Sequence, residues 1–305
     1  MLPRVAITVG DPRGIGPEVV TKALADPPPD ADWMVIGPEA LLETIPADRR
    51  IPIPSRFPPP ASPFTLPLSP HQAGLCVKHS VEEAVRLAMA GDVDAIVTGP
   101  AEKRALHLAG VGHPGHTEWL ADLAGGVDVA MMLVAGGLRV VLVTTHLPLR
   151  EVPGAVTLER VLATARLARS ALERWWDVRA PRLAICALNP HAGEDGLFGS
   201  EDAEILAPAA RALGATGPLP ADTVFVRALR GEFDVVVVPY HDVAMTAVKL
   251  AGFGSGVNIT LGLPFVRTAP DHGTAMDIAG KGVADPGSMR EAVKLAVELG
   301  RRAIG

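Results

Sequence analysis

Cysteine, tyrosine, basic charge and long apolar runs are scarce in this sequence, and each shortage closes a class of protein. Two cysteines in 305 residues, Cys76 and Cys186, cannot frame a disulfide-stapled fold. One lies in a helical stretch and one in a strand-like stretch, so both read as small buried hydrophobes of a reducing compartment. No uncharged stretch approaches a membrane span; the nearest, Val129 to Val143, is broken by Gly136, Gly137 and Arg139. The opening MLPRVAITVGDP carries no apolar core of signal-peptide length. Basic residues number 28 against 34 acidic ones, a net charge of −6, and aromatics make up 4%. No basic, aromatic-interleaved surface for nucleic acid follows from that balance. The expectation is a cytoplasmic protein with neither membrane nor nucleic acid as partner.

What is present in quantity is apolar: 48% of the chain, enough for a large core in one large or two ordinary domains. Strand-like runs alternate with helical patterns almost throughout. Val5 to Val9, Trp33 to Ile36, Ala95 to Val97, Val140 to Thr144, Leu183 to Cys186 and Val235 to Val238 are short and bounded by Gly, Pro or charge. Between them, Val161, Ala165, Ala168 and Leu172 share a helical face, as do Ile205, Ala209 and Leu213. That alternation predicts an α/β fold with a largely parallel sheet. Prolines crowd Pro46 to Pro70, which reads as an extended surface excursion with little helix.

The first βα turn, ITVGDPRGIGPEVV, has strand, glycines and a helix start at Pro17. Free N–H groups at such a helix start suit an anion. Yet Val19 stands where G-x-G-x-x-G needs its third glycine, and the Lys-Ser/Thr of a P-loop is missing. Gly14 and Gly16 therefore read either as a cofactor-binding turn or as a tight turn with a structural duty alone.

Parallel sheets collect ligands at the carboxyl ends of their strands. Three loops there carry one histidine each: His146 in THLP, His191 in NPHAGE and His241 in PYHD. Three neutral imidazoles with an open position make a catalytic zinc arrangement. No spacing motif supports ligation, however, and for any one of them a plain loop histidine is the commoner case. His116 and Thr117 in GHTE can act as anion donors at a helix entrance, or Thr117 can simply cap that helix. Lys249, Asn258 and Arg267 form a third polar group. Asn258 sits in the apolar run VNIT, where a polar side chain needs a partner, and Arg267 closes LPFVR near a strand rim.

An ordered series of segments then resembles one family. GDPRGIGPE (10–18), TGPAEK (98–103), GHTE (115–118), VTTHLPL (143–149), LNPHAGE (188–194), PADT (220–223), YHD (240–242) and GFGSGVNITLGLPFVRTAPDHGTA (252–275) resemble the 4-hydroxythreonine-4-phosphate dehydrogenases, the PdxA family of pyridoxal-phosphate biosynthesis. The opening turn is also similar to that of isocitrate and isopropylmalate dehydrogenases, which bind nicotinamide without a Rossmann fingerprint. The resemblance implies two α/β/α lobes with mostly parallel sheets, lobe one near 1–114 plus 275–305 and lobe two near 115–274, and an active site between them. It implies a homodimer with a shared metal site on His146, His191 and His241. It implies substrate contacts from His116, Thr117, Lys249, Asn258 and Arg267, and an acidic residue near the metal at Asp222. The cofactors implied are NAD or NADP and a divalent metal, with zinc or cobalt favoured by nitrogen ligands over magnesium. The implied reaction is oxidation of 4-hydroxy-L-threonine 4-phosphate at C3 to a β-keto acid, which decarboxylates to 3-amino-2-oxopropyl phosphate.

Four positions depart from the family pattern. Val243 and Ala244 replace the usual Gln-Gly after YHD, Glu102 replaces the usual Asn before Lys103, and Arg13 stands where a small residue is common. The departures bear on substrate identity. A sister dehydrogenase for a phosphorylated sugar acid such as 4-phosphothreonate is the near alternative. A non-redox phosphate-ligand transferase or binding protein is the distant one, and it has no use for a histidine trio.

Overall fold

The computed structural model describes residues 1–53, 62–113 and 115–303. The chain divides into two compact units, Met1–Asp128 with Leu263–Gly305, and Val129–Gly262. The first begins with β1 (Arg4–Thr8), α1 (Gly16–Ala23), β2 (Asp32–Pro38), β3 (Arg50–Ile53), α2 (Pro70–Met89), β4 (Ala95–Thr98), α3 (Lys103–Leu108) and α4 (His116–Leu123). The second holds β5 (Ala130–Ala135), β6 (Leu138–Leu142), α5 (Val152–Ala155), α6 (Leu158–Trp176), β7 (Leu183–Cys186) and α7 (Ala207–Leu213). It continues with β8 (Thr216–Leu219), α8 (Ala221–Leu229), β9 (Val235–Val238), α9 (His241–Ala251) and β10 (Val257–Leu261). The chain then returns to the first unit with β11 (Val266–Pro270) and α10 (Gly287–Ala303).

Strands of the first unit run β3-β2-β1-β4-β11, all parallel. Val5, Ala6 and Ile7 of β1 are fully buried, as near-continuous apolar strands between helix layers must be. The unit boundaries differ from the expected 114/115 and 274/275: residues 115–128 and 263–274 belong to the first unit. For 263–274 the reason is pairing. β11 docks on β4, Arg267 opposite Ile96, and carries its flanking loops with it. The proline-rich excursion has a described part and a part, 54–61, that lies outside the described residues. The described part contains β3, which pairs with β2 and was not legible among the prolines. It ends where Ser69 accepts a hydrogen bond from the Gln72 amide and Gln72 returns one, a capping box that starts α2 at Pro70.

In the second unit the order is β10-β5-β6-β9-β7-β8. β6, β9, β7 and β8 are parallel, while β10-β5-β6 are antiparallel. The β5–β6 hairpin turns on Gly136 and Gly137, with φ of 55° and 85°. Both central residues at positive φ define the turn that matches strand twist, and glycine takes it without strain. The helix expected through Ile205, Ala209 and Leu213 forms, but it opens with a π-helical turn, Asp202–Leu206, before α7. Cys76 and Cys186 are buried free thiols. Among the described residues, no helix is long and apolar enough to cross a membrane.

Candidate active site

Four neighbouring parallel strands of the second unit carry four of the sequence-selected residues. The order β6-β9-β7-β8 places the loops bearing His146, His241, His191 and Asp222 side by side at one sheet rim. Parallel pairing is what achieves this, because every strand then delivers its following loop to the same edge. The rings of His146 and His241 lie 5.3 Å apart, centroid to centroid. His191 and Asp222 line a common cavity of about 340 Å³ with Asn189, Tyr240 and Val243.

His241 opens α9, and its Nδ1 lies 2.9 Å from Oδ1 of Asp242. A carboxylate oxygen accepts here, so Nδ1–H is the donor, and in the neutral ring Nε2 is the nitrogen left for a metal. That is the orientation a metal-binding imidazole takes when a carboxylate holds its other nitrogen. The donor chemistry of the His146–His241 pair therefore fits a divalent cation of the zinc or cobalt type. The third imidazole does not join them within one subunit. Among the described residues, no three His, Cys, Asp or Glu side chains gather closely enough to hold a metal.

His191 sits on unusual backbone. His191, Ala192, Gly193, Glu194, Asp195 and Gly196 all have positive φ, from 40° to 91°. Four of the six are not glycine, and each such L-residue in the left-handed region costs roughly 1–2 kcal/mol. The loop is held by Asp202, 1% exposed, which accepts from the amides of Leu188 (2.8 Å) and Asn189 (3.0 Å) and from Asn189 Nδ2 (2.9 Å). Sequence reading missed Asp202; it lies eleven positions past His191 in a stretch with no motif, and only the fold brings it back.

Lys249 ends its last helical turn with Nζ 5.8 Å from the ring of Phe253. Asn258 lies in β10 opposite Leu133, and among the described residues its buried Oδ1 has no hydrogen-bond partner. A buried amide oxygen without a donor is costly, and a ligand N–H or O–H can supply one.

His116, Thr117 and Arg267 belong to the first unit. Gly115, not Thr117, is the residue before α4, and among the described residues no side chain caps that helix. Thr117 is instead buried in its first turn and does not cap it: the helix starts two residues too early for that. Arg267 is 3% exposed, inside β11 and not at its rim. Its Nη2 and Nε reach along the sheet to Thr98 Oγ1 at 2.6 and 3.2 Å, which places the guanidinium at the carboxyl end of β4. Thr98 opens the TGPAEK segment, and the pairing of β11 with β4 brings Arg267 to it. Burial pushes the guanidinium down from its ordinary value to about 10. Burial, and then the nearby Arg267 charge, push His116 down to about 3, so this imidazole is neutral at pH 7. Among the described residues its buried Nε2 has no hydrogen-bond partner. A buried cation and an unpartnered ring nitrogen make a site suited to an anion.

The glycine turn after β1 has a packing duty. A Cβ on Gly16 would meet Val9 O at 2.1 Å, and one on Gly14 would meet Thr274 O at 2.7 Å. The amides of Gly14 and Ile15 donate to Asp11 O and Thr274 O, and that of Arg13 donates to Asp11 Oδ1. These N–H groups are spent inside the unit.

A family profile described as "Pyridoxal phosphate biosynthetic protein PdxA" matches residues 62–296. A 4-hydroxythreonine-4-phosphate dehydrogenase of Geobacter metallireducens is 41% identical, covering 98% of this chain and 96% of its own. The chain belongs to the PdxA family. A D-threonate 4-phosphate dehydrogenase of Salmonella typhimurium is 44% identical over 97% of this chain and 98% of its own. The crystal structure of a Klebsiella pneumoniae 4-hydroxythreonine-4-phosphate dehydrogenase superposes with a TM-score of 0.84 at 39% identity, covering 98% of both chains. A β-decarboxylating dehydrogenase of Thermococcus kodakarensis shares the fold, with a TM-score of 0.51 at 17% identity over 97% of this chain and 83% of its own. PdxA-family membership makes this chain a dehydrogenase. It also gives meaning to the departures. Arg13 and Glu102, two of the four departures read from the sequence, are partners: Arg13 Nη2 lies 2.6 Å from Glu102 Oε2 and 2.7 Å from Asp11 Oδ2. Asp11 is fully buried, so Arg13 neutralises a carboxylate that the fold has already committed to the interior.

Proposed function

We propose that this PdxA-family enzyme oxidises a four-carbon hydroxy acid 4-phosphate with NAD or NADP and a divalent metal. The substrate is 4-hydroxy-L-threonine 4-phosphate or its close analogue D-threonate 4-phosphate. The observation that carries the reading is the delivery of His146, His241 and His191 to one rim by adjacent parallel strands, the first two in ring contact. His146 and His241 would hold the metal, with zinc or cobalt preferred. His191 is the third ligand in this reading, and sharing across a twofold partner supplies the imidazole that one subunit does not gather. A bound divalent cation supplies a lowered hydroxyl pKa, and a bound nicotinamide supplies hydride acceptance.

The chain's own residues do the rest. Arg267 and neutral His116 hold the phosphate or carboxylate, with Thr117 beside them; Lys249 and the open Oδ1 of Asn258 orient the polar backbone of the substrate. Asp222 is exposed at the start of α8 and can take the hydroxyl proton or pass it to water. Oxidation at C3 gives a β-keto acid, and loss of carbon dioxide from the amino substrate leaves 3-amino-2-oxopropyl phosphate.

The dimer of this reading is supported by an apolar groove of about 600 Å³ on α8 and α9. Leu250 and the adjoining Phe253 are 84% and 87% exposed there, more apolar surface than a lone subunit usually leaves in water. The two buried, unbridged cysteines support a cytoplasmic location. The test is reduction of NAD or NADP by purified protein with Co²⁺ or Zn²⁺ and each of the two substrates. No reduced nicotinamide with either substrate removes the proposal. The ratio of the two kcat/KM values assigns the substrate.

A further inference from the structure

We propose that Asp202 is a positioning residue whose buried carboxylate sets the direction of His191. The proposal rests on the reading of His191 as a metal ligand. The loop that carries His191 leaves β7 at Leu188 and Asn189 and comes back at Glu201 and Asp202. Both ends meet on one side chain. Asp202 Oδ1 accepts from the Leu188 amide, and Oδ2 accepts from the Asn189 amide and from Asn189 Nδ2. The second hydrogen of Asn189 Nδ2 goes to Glu201 Oε2 at 2.8 Å. So the three N–H groups that satisfy Asp202 come from the two residues just ahead of Pro190 and His191.

The loop is shaped around this clasp. A Cβ on Gly199 would lie 2.7 Å from Asn189 Nδ2, and one on Gly193 would lie 3.0 Å from Gly199 O. Phe198 N donates to Gly193 O at 3.1 Å, and the Phe198 ring lies 6.2 Å from that of His191. L-residues do not hold a left-handed run unaided, so the direction of His191 must be imposed from its ends. Asp202 is where both ends are fixed. An apolar residue at 202 would strand the Leu188 and Asn189 amides, and a buried carboxylate is otherwise an expensive filler. The backbone widens into a π turn at the same residue, an irregularity that collects at functional sites.

The test compares Asp202→Asn, His191→Ala and the double variant in the full-length protein. Two readouts are used: Co²⁺ affinity by visible absorption, and the His191 imidazole resonances of the metal-free protein. Asp202→Asn keeps the side chain's size but turns an N–H₂ towards N–H donors. It is expected to weaken Co²⁺ binding about ten- to hundredfold, the range of residues that orient ligands. It should move the His191 resonances and leave those of His146 and His241 in place. In the His191→Ala background it should cost nothing further, because both changes act through one group. If Asp202→Asn does not fold, Asn189→Ala, which removes only the side-chain arm of the clasp, takes its place with an effect of the same sign. Co²⁺ affinity within about twofold of the parent overturns the proposal, as does an equal loss with and without His191. If His191→Ala itself binds Co²⁺ normally, the ligand reading falls and this proposal falls with it. If His191→Ala loses affinity and Asp202→Asn does not, only this proposal falls.

Discussion

Replacing Arg267 with methionine separates the cost of burying a charge from its use. The guanidinium lies inside β11 at 3% exposure, with Thr98 Oγ1 accepting from Nη2 and Nε. Burial alone lowers its pKa from the ordinary value to about 10. That drop corresponds to about 3 kcal/mol held against the charged form. Methionine fills most of the volume without the charge, so removing the cation relieves a penalty while forfeiting its hydrogen bonds. The metal-free, ligand-free variant is expected within about 1 kcal/mol of the parent in urea unfolding, or above it. The ligand-bound state behaves differently. A charge-assisted hydrogen bond to phosphate or carboxylate contributes about 1.5–3 kcal/mol, or roughly ten- to hundredfold in affinity. Substrate KM should therefore rise by about that factor while kcat falls less, because the anion is held in ground state and transition state alike. Inorganic phosphate should raise the melting temperature of the parent and leave that of the variant unmoved. A variant destabilised by more than about 3 kcal/mol with an unchanged KM would show Arg267 to be a structural cation, and the anion site would have to lie elsewhere.

His116, at about 3, binds its proton in the unfolded chain before it does so in the folded one. The unfolded state thus carries more protons between pH 6.5 and 3, and stability is full above pH 6.5 and lost as pH falls through that window. The parent should lose about 2 kcal/mol between pH 7 and pH 5, and His116→Gln should lose less; equal slopes in urea unfolding would contradict the burial argument. Gly16→Ala pushes a methyl onto Val9 O at 2.1 Å, so α1 must shift; a loss of about 2–3 kcal/mol is expected, and a melting point unchanged from the parent would mean the turn is not under that constraint. Leu250→Lys with Phe253→Ser places charge and polarity on the α8–α9 groove, and sedimentation should show the subunit alone; a dimer that survives both changes is built on another face.

Sequence alone determined the element types and the chemical alphabet of the site. Apolar runs such as Leu183–Cys186 and the all-valine Val235–Val238 form the strands read from them, because pattern and burial point the same way there. Gly16 was visible as a turn residue, and the histidines were visible as strand-end residues. Only tertiary structure decided which of them meet. Strand order is a long-range choice: β9 inserts between β6 and β7, and that is what sets His241 against His146. Pairing of β11 with β4 carried Arg267 to Thr98 and moved the unit boundary to Leu263. Arg13 and Glu102 read as two unrelated oddities until the fold made them an ion pair. The same holds for the clasp of Asp202 on Leu188 and Asn189. A hydrogen bond between residues distant along the chain leaves no periodic trace in the sequence, since its geometry is fixed by the packing of the elements that carry it.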